Sequence, residues 1–594
     1  MFRGYDSSAA RRIPLPRGRA WAAWLRESPA ALVALAIAVG VVTGLGAVAF
    51  RWLVTAFTRM FTGYDDYSAL GRVPSLHFPW LGVWFLLLAP VVAGAVYGPI
   101  VHKFAPEARG HGVPEVMYAV GHRGGRIAPQ VTLVKALASS LCMGGGGSVG
   151  REGPIVQIGA AAGSTLAQLL RLDTRRVRLL VACGAAGGIS ATFNAPLAGP
   201  FFAMELILRN FAAESFGAVV LSSVSAAVVG RAMLGDHPFL SLPLFSVRSP
   251  LEYLLYGALG LAVGMIGVAF SKVLYLVEDA CDWLWRGPEW ARPAVGGIAL
   301  GALLIALPQM YGVGYPVLEN AVDGHYVIGM LLVLMVGKMF ATSLTIGIGG
   351  SGGVFAPTLF VGAMAGSAFG LIAHGLFPSV VGTAGAYGLI GMGAALGGAT
   401  RAPITAVIIL FELTGEYSII LPLMAAVVMA SGIAHLLSKE TIYTAKLWRR
   451  GVTVDATPME VQQFVAADVA LPAPDPLHDT CPLSAAAAAL ASNSLGILPV
   501  VTEDGRYRGC VTSEDVAEAL DEDSPPQTVA DIVHPVTNVG VDDPPPRILS
   551  ALGGHGGTGL PVVNRDKTAL VGWITYETVL ARMHPPGGAD RTAR

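Results

Sequence analysis

Charged side chains are scarce in this chain. Asp, Glu, Lys and Arg supply 13% of its 594 residues, against about a quarter in soluble domains, and the mean hydropathy is +0.59. A water-soluble globule is thereby excluded for the bulk of the chain, which reads as a membrane protein. Cysteine is scarcer still. Cys142, Cys183, Cys281, Cys481 and Cys510 are odd in number, widely scattered and never in Cys-x-x-Cys spacing, which argues against a disulfide framework and a thiolate metal centre. A His-Glu-x-x-His segment is absent, which removes the zinc-dependent intramembrane protease. Clustered carboxylates of the kind a divalent-cation path needs are missing from the apolar stretches. The expectation is therefore no enzyme, no required cofactor, no metal and no nucleic-acid partner.

What is abundant is backbone punctuation, with 74 Gly and 39 Pro. Apolar stretches such as 29–50, 79–98, 251–270 and 417–437 approach the ~20 residues of a bilayer crossing, while others are short or interrupted. Helices broken at membrane depth are tolerated only where the freed backbone groups face protein or a polar cavity, so the pattern predicts a transport path. Arg3, Arg11, Arg12, Arg17, Arg19 and Arg26 precede the first stretch, and Lys446, Arg449 and Arg450 follow the last. The positive-inside bias then puts both termini in the cytoplasm of a multi-pass protein of the plasma or inner membrane. The first stretch is too long, and its leader too extended, for a cleaved signal peptide.

The chain repeats itself. Gly144 to Ala160 reads GGGGSVGREGPIVQIGA and Gly347 to Ala363 reads GIGGSGGVFAPTLFVGA, while NAPLAGPFFAMEL (Asn194 to Leu206) is answered by RAPITAVIILFEL (Arg401 to Leu413). Two related halves, roughly 29–232 and 250–437, account for this. Gly/Pro-interrupted segments at matching places in two halves point to a transporter's binding site. After Arg450 charges return and a second repeat appears: 482–520 reads helix, strand, an Asp504-Gly505 turn, strand and helix, and 545–583 repeats the order. Each unit is about 60 residues, small enough that the two should pack together.

Gly150-Arg151-Glu152-Gly153-Pro154 and Gly353-Val354-Phe355-Ala356-Pro357 both place Pro just inside a predicted helix start after a glycine-rich lead. Such ends expose free N–H groups and the positive end of the helix dipole. Two of them converging would hold a small anion without a fixed cationic side chain. Glu152, a carboxylate in an apolar segment, could occupy that site when ionised and vacate it when protonated. Glu205 and Glu412, equivalent in the repeat, read as partners for backbone groups rather than as proton carriers.

These segments, with Gly110-His111-Gly112-Val113-Pro114, FNAPLAG (Phe193 to Gly199), RAPITA (Arg401 to Ala406) and FELTG (Phe411 to Gly415), resemble the signatures of the CLC family of chloride channels and proton/chloride antiporters. The tail resembles a CBS-domain pair. The resemblance implies a homodimer in the lipid bilayer, a polytopic α-helical domain of two inverted-topology repeats with broken helices, and a soluble α/β CBS pair. The plan is a segment 1–28, a membrane domain 29–450, a linker 451–463, CBS units 464–522 and 523–583, and a disordered tail 584–594. By the same resemblance Glu152 matches the gating glutamate, Val354, Phe355 and Tyr443 meet the central anion, and Arg151, Gly153 and Ala356 lend amides to an outer site. Chloride is the implied ligand, with fluoride or nitrate as alternatives.

Two departures stand out. His111 replaces the family's usual Ser, and its ring can either donate to the anion or turn away to a backbone carbonyl. A metal pair of His111 with Glu115 is disfavoured, since Pro114 and the glycines argue against a regular helix there. Leu206 stands where typical antiporters have a proton-accepting glutamate, which favours a passive or weakly coupled path over full proton/anion exchange. In the tail, Thr512 and Asp515 fit a CBS pattern for binding a nucleotide ribose. The second copy has Thr575, with Thr578 in place of the Asp. One adenine-nucleotide site, or a purely structural pair, is expected.

Overall fold

A computed structural model describes residues 28–235, 247, 249–452, 464–493, 495–521, 526–553, 559–566 and 568–583. The N-terminal arginines, the segment 453–463 and the tail 584–594 lie outside the described residues. The chain forms two compact units that divide between Asp455 and Ala456.

The first unit is helical, and its helices come in two matching series. The first series is α1 (Pro29–Thr62), α2 (Phe85–Phe104), α3 (Val113–His122), α4 (Gln130–Gly144), α5 (Glu152–Leu169), α6 (Thr174–Phe193), α7 (Ala198–Phe202, continuing as a π-helical turn Ala203–Leu208) and α8 (Ala213–Leu234). The second is α9 (Glu252–Leu284), α10 (Arg292–Ala306), α11 (Tyr315–Val322), α12 (Ile328–Gly347), α13 (Phe355–Leu376), α14 (Ala384–Thr400), α15 (Pro403–Thr414) and α16 (Ile420–Leu437). A short α17 (Thr444–Trp448) follows. Local chemistry sets the ends. Helix α1 starts with Pro29 in its first turn and stops at Gly63, whose φ of 84° lets its N–H return to the Arg59 carbonyl.

Seven of the described helices are long and apolar enough to cross a membrane. At 34 and 33 residues, α1 and α9 are longer than a perpendicular crossing needs. Their outward side chains, such as Trp52, Leu254 and Leu276, are exposed apolar surface suited to lipid. Helix α13 is instead enclosed along most of its length. Packing follows the repeat: α1 lies on α8 as α9 lies on α16, and α5 lies on α6 as α13 lies on α14. The last two contacts are alike in detail. Gly159 meets Gly184 and Gly362 meets Gly391, each so closely that an added Cβ would strike the facing carbonyl, the backbone approach that small residues allow between membrane helices. The pair α2 and α10 joins the two series.

The second unit repeats a smaller motif. Strand β1 (Leu477–His478) pairs parallel with β2 (Ile497–Val501), which pairs antiparallel with β3 (Tyr507–Thr512). The second copy sets β4 (Val539–Gly540), β5 (Leu560–Val563) and β6 (Leu570–Ile574) in the same order and directions. Helices α19 (Leu483–Ser492), α20 (Ser513–Leu520), α21 (Pro545–Gly553) and α22 (Tyr576–Met583) flank the sheets, after a short α18 (Ala466–Val469). The copies pack on each other, as their size requires. Tyr507 N donates to Thr568 O at 2.8 Å, and Trp573 of the second copy is buried with Ile497 and Cys510 of the first.

Candidate functional site

The glycine-rich leads of α3, α5 and α13 are stitched together by backbone hydrogen bonds. Gly150 and Gly353 exchange N–H···O bonds of 2.7 Å, while Gly110 N donates to Gly350 O at 3.0 Å and receives Gly352 N on its own carbonyl at 3.3 Å. This fixes the starts of α5 and α13 against each other, with Arg151 and Val354 as the residues just before them. First-turn amides have no acceptor inside their own helix, so two positive helix ends face one region. Gly150 is required by space, since a Cβ there would collide with Glu152 Oε2 and press on Ala356.

Glu152 opens α5 and is 1% exposed. Its Oε2 accepts from Ala356 N at 3.3 Å and its Oε1 from the Tyr315 hydroxyl at 2.5 Å. A carboxylate of the first repeat therefore sits at the amide end of a helix of the second. Arg151 holds its guanidinium 5.1 Å from the centroid of the Tyr315 ring. Gly153 packs so closely on the His111 carbonyl that a Cβ would overlap it. The Phe355 and Phe193 rings meet at a tilt of 41°, centroids 5.8 Å apart. Tyr443 is enclosed and within electrostatic reach of the Glu152 charge. The structure thus brings Arg151, Glu152, Gly153, Val354, Phe355, Ala356, His111 and Tyr443 into one neighbourhood. Leu206 lies apart from these contacts, enclosed on the π-helical turn of α7 beside Glu205.

His111 is fully enclosed, and neither ring nitrogen has a hydrogen-bond partner among the described residues. The reading in which it turns to a backbone carbonyl is therefore not what is seen. One sequence expectation needs correction here. A regular helix does form at once after the signature: Gly112, at φ 85°, caps α3, and Pro114 sits in its first turn, where no N–H is needed. Glu115 on that helix faces Arg450 at 2.8 Å rather than His111. Two lysines also approach this loop. Lys446 Nζ lies beside Gly110, 2.6 Å from where a Cβ would stand, and Lys135 Nζ binds the carbonyls of Ala108 and Gly110 at 2.9 and 2.8 Å.

Motif reading passes over Lys135, Lys338, Lys446 and Tyr315. For three of them the signal was available in the repeat, because Gly312-Val313-Gly314-Tyr315-Pro316 copies Gly110 to Pro114. Lys338 binds the carbonyls of Gly312 and Val313 at 3.0 and 2.9 Å, as Lys135 does for the first copy. Glu205 and Glu412 complete the symmetry. Glu412 accepts from Leu197 N and Ala198 N at 2.8 and 2.6 Å. Glu205 accepts from Ile404 N, Thr405 N and the Thr405 hydroxyl at 3.2, 2.8 and 2.7 Å. Each caps the broken helix of the opposite repeat, which is the backbone-satisfying role expected of them.

In the tail, Thr512 and Asp515 engage each other. Asp515 Oδ2 accepts from both the N–H and the hydroxyl of Thr512 at 2.7 Å, and Thr512 Oγ1 accepts from Asp515 N at 3.2 Å. This is a capping box at the start of α20, with Asp515 Oδ1 left near His534 at 3.4 Å. Thr575 and Thr578 make the corresponding backbone-to-hydroxyl bonds at 3.1 and 3.3 Å before α22.

Repeated apolar helices whose broken ends meet at an enclosed carboxylate define a membrane transport protein of the inverted-repeat class. The family model described as voltage gated chloride channel matches residues 93–435, and the model described as CBS domain matches 466–522. The chain belongs to this voltage gated chloride channel family, the CLC family, and carries a CBS region behind its membrane unit. The H(+)/Cl(-) exchange transporter ClcA of Vibrio cholerae is 34% identical over 433 residues, 71% of this chain and 90% of that protein. The ClcA of Vibrio parahaemolyticus is 33% identical over 435 residues, again 71% and 90%. Among solved structures, a slow cyanobacterial Cl-/H+ antiporter superposes with a TM-score of 0.61 at 26% identity, covering 72% of this chain and 99% of that one.

Proposed function

We propose that the protein carries chloride across the membrane along a path that passes the facing ends of α5 and α13, with Glu152 as its gate. The observation that carries this is the seating of the Glu152 carboxylate on the Ala356 amide, where an anion of the same charge would compete for the same donors. Protonation removes that competition, so acid opens the path. Val354, Phe355 and Tyr443 line the central position, Arg151, Gly153 and Ala356 the outer one. His111 adds a ring donor toward the anion, since both its nitrogens are otherwise unused.

Leu206 cannot carry a proton, so transport is read as passive or weakly coupled. Full proton/chloride exchange is the second reading, favoured by the exchangers among the relatives. In that case the proton must travel by a route that does not use Leu206. The protein works as a homodimer with both termini in the cytoplasm, as the family resemblance implies. The tail binds an adenine nucleotide at one site at most, through Asp515 Oδ1, since Thr512 and Asp515 Oδ2 are taken up by the helix cap. Simultaneous recording of chloride and proton flux from liposomes holding the full chain tests the whole reading. Chloride efflux without uphill proton movement is expected. A fixed proton-to-chloride ratio would transfer the conclusion to the exchanger.

A further inference from the structure

The repeat sets two copies of one loop around the path: Gly110 to Pro114 leads into α3, and Gly312 to Pro316 leads into α11. Where the first copy has Val113, the second has Tyr315, and this substitution brings a hydroxyl to Glu152. The 2.5 Å separation from Oε1 falls in the range of an O–H···O⁻ bond. The ring is held from two sides. Arg151 covers one face at a cation–π distance of 5.1 Å, and Lys338 fastens the loop before α11 through the Gly312 and Val313 carbonyls.

We infer that Tyr315 is a latch: it keeps the ionised Glu152 carboxylate seated on the α13 end and so sets how readily an anion or a proton displaces it. This rests on Glu152 being the gate. The charged or titratable groups acting on that carboxylate are Arg151, the residue just before its helix, and Tyr315 from α11, while Tyr443 from the segment before α17 and Lys338 from α12 lie within reach of its charge. Arg51 from α1 acts in turn on Arg151 and Tyr315. Tyr315 makes a direct side-chain hydrogen bond to the Glu152 carboxylate. A phenol hydroxyl donates to a carboxylate more strongly than to the neutral acid, so it favours the seated, closed state. The residue positions Glu152 and does not itself need to touch the anion.

The test is chloride efflux against pH from liposomes containing the full-length protein, for wild type, Tyr315→Phe, Glu152→Gln and the double variant. Tyr315→Phe should raise efflux at neutral pH severalfold and move the acid-activation midpoint about one unit toward higher pH, a tenfold easing of displacement for one lost bond to a charged group. The double variant should match Glu152→Gln alone. Tyr315→Val, which installs the residue of the other repeat, supplies the same comparison should the Phe variant fail to reconstitute. A Tyr315 variant that follows wild type in rate and pH profile while Glu152→Gln departs from it overturns the latch and leaves the gate standing. An equal effect of Tyr315→Phe with and without the Glu152 carboxylate also overturns it. A Glu152→Gln that behaves as wild type removes the gate and the latch with it.

Discussion

The two repeats of the membrane unit agree where the scaffold is concerned and disagree where chemistry is concerned. Lys135 and Lys338 tie down matching loops. Glu205 and Glu412 cap each other's broken helices. Gly159 with Gly184 and Gly362 with Gly391 make the same close crossing. Against that symmetric frame, Arg151-Glu152 is matched in the repeat by Val354-Phe355, His111 by Val313, and Val113 by Tyr315. The first repeat supplies the charged and titratable side chains, and the second supplies a bare helix end and one hydroxyl. The difference teaches which residues to suspect of function: those the symmetry does not demand.

Removing the sharpest asymmetry should have the largest effect. Glu152→Gln and Glu152→Ala are expected to raise chloride flux at neutral pH on the order of tenfold or more and to flatten its pH dependence. Displacing the seated carboxylate breaks bonds to a charged group worth ~1.5–3 kcal/mol, with about 1.4 kcal/mol per tenfold. Wild-type flux should rise as pH falls, because the protonated acid no longer competes with the anion. Unchanged flux and pH response in both variants, measured in liposomes, would remove Glu152 from the path.

Breaking the symmetric frame should instead cost stability. Glu412→Ala strands the half-buried Ala198 N and Glu205→Ala the half-buried Thr405 N, each such amide left without a partner costing about 1–3 kcal/mol, while Leu197 N and Ile404 N, on exposed residues, add less. Thermal unfolding in detergent should fall by a similar margin for both. A large loss for one and none for the other would contradict the equivalence.

A smaller effect is expected at His111. Replacing it with Ser should lower anion occupancy severalfold or less, as one neutral donor is exchanged for another, and should remove any pH dependence that survives in a Glu152→Gln background. Persistence of that residual dependence in the double variant would place it elsewhere.

The smallest effect sharpens the comparison between the two copies in the tail. Asp515→Ala and Thr578→Ala should each weaken a helix cap by about 1 kcal/mol, while calorimetry with ATP on the full chain should register a loss for Asp515→Ala alone. Equal loss of heat in both variants would contradict a site confined to the first copy.

Much of this was legible in one dimension. Low charge, long apolar stretches and two self-copies announced a membrane unit of related halves. Pro after a glycine-rich lead marked the starts of α5 and α13, because these residues act through their own backbone. The strands Ile497–Val501 and Tyr507–Thr512 were readable for the same reason, whereas the two-residue strands β1 and β4 exist only because a neighbour pairs with them. The helix after Gly112 is not legible in sequence, because Pro114 reads there as a breaker while its place in the first turn makes it a starter.

Tertiary structure decided what touches what. Sequence could name Glu152, but its contact with Ala356, 204 positions away, depends on the Gly150–Gly353 pairing that aims two helix ends at each other. It could place Glu205 and Glu412 as equivalents, yet only the fold shows them exchanging caps. Lys446 carries no motif and Tyr315 only the repeat's copy of one, and both matter because the chain returns them to the signature loops from afar. Local conformation is written in each residue's own backbone preferences. A site where the backbone of one repeat meets a side chain of the other is set by packing over long separations, which no single stretch of sequence contains.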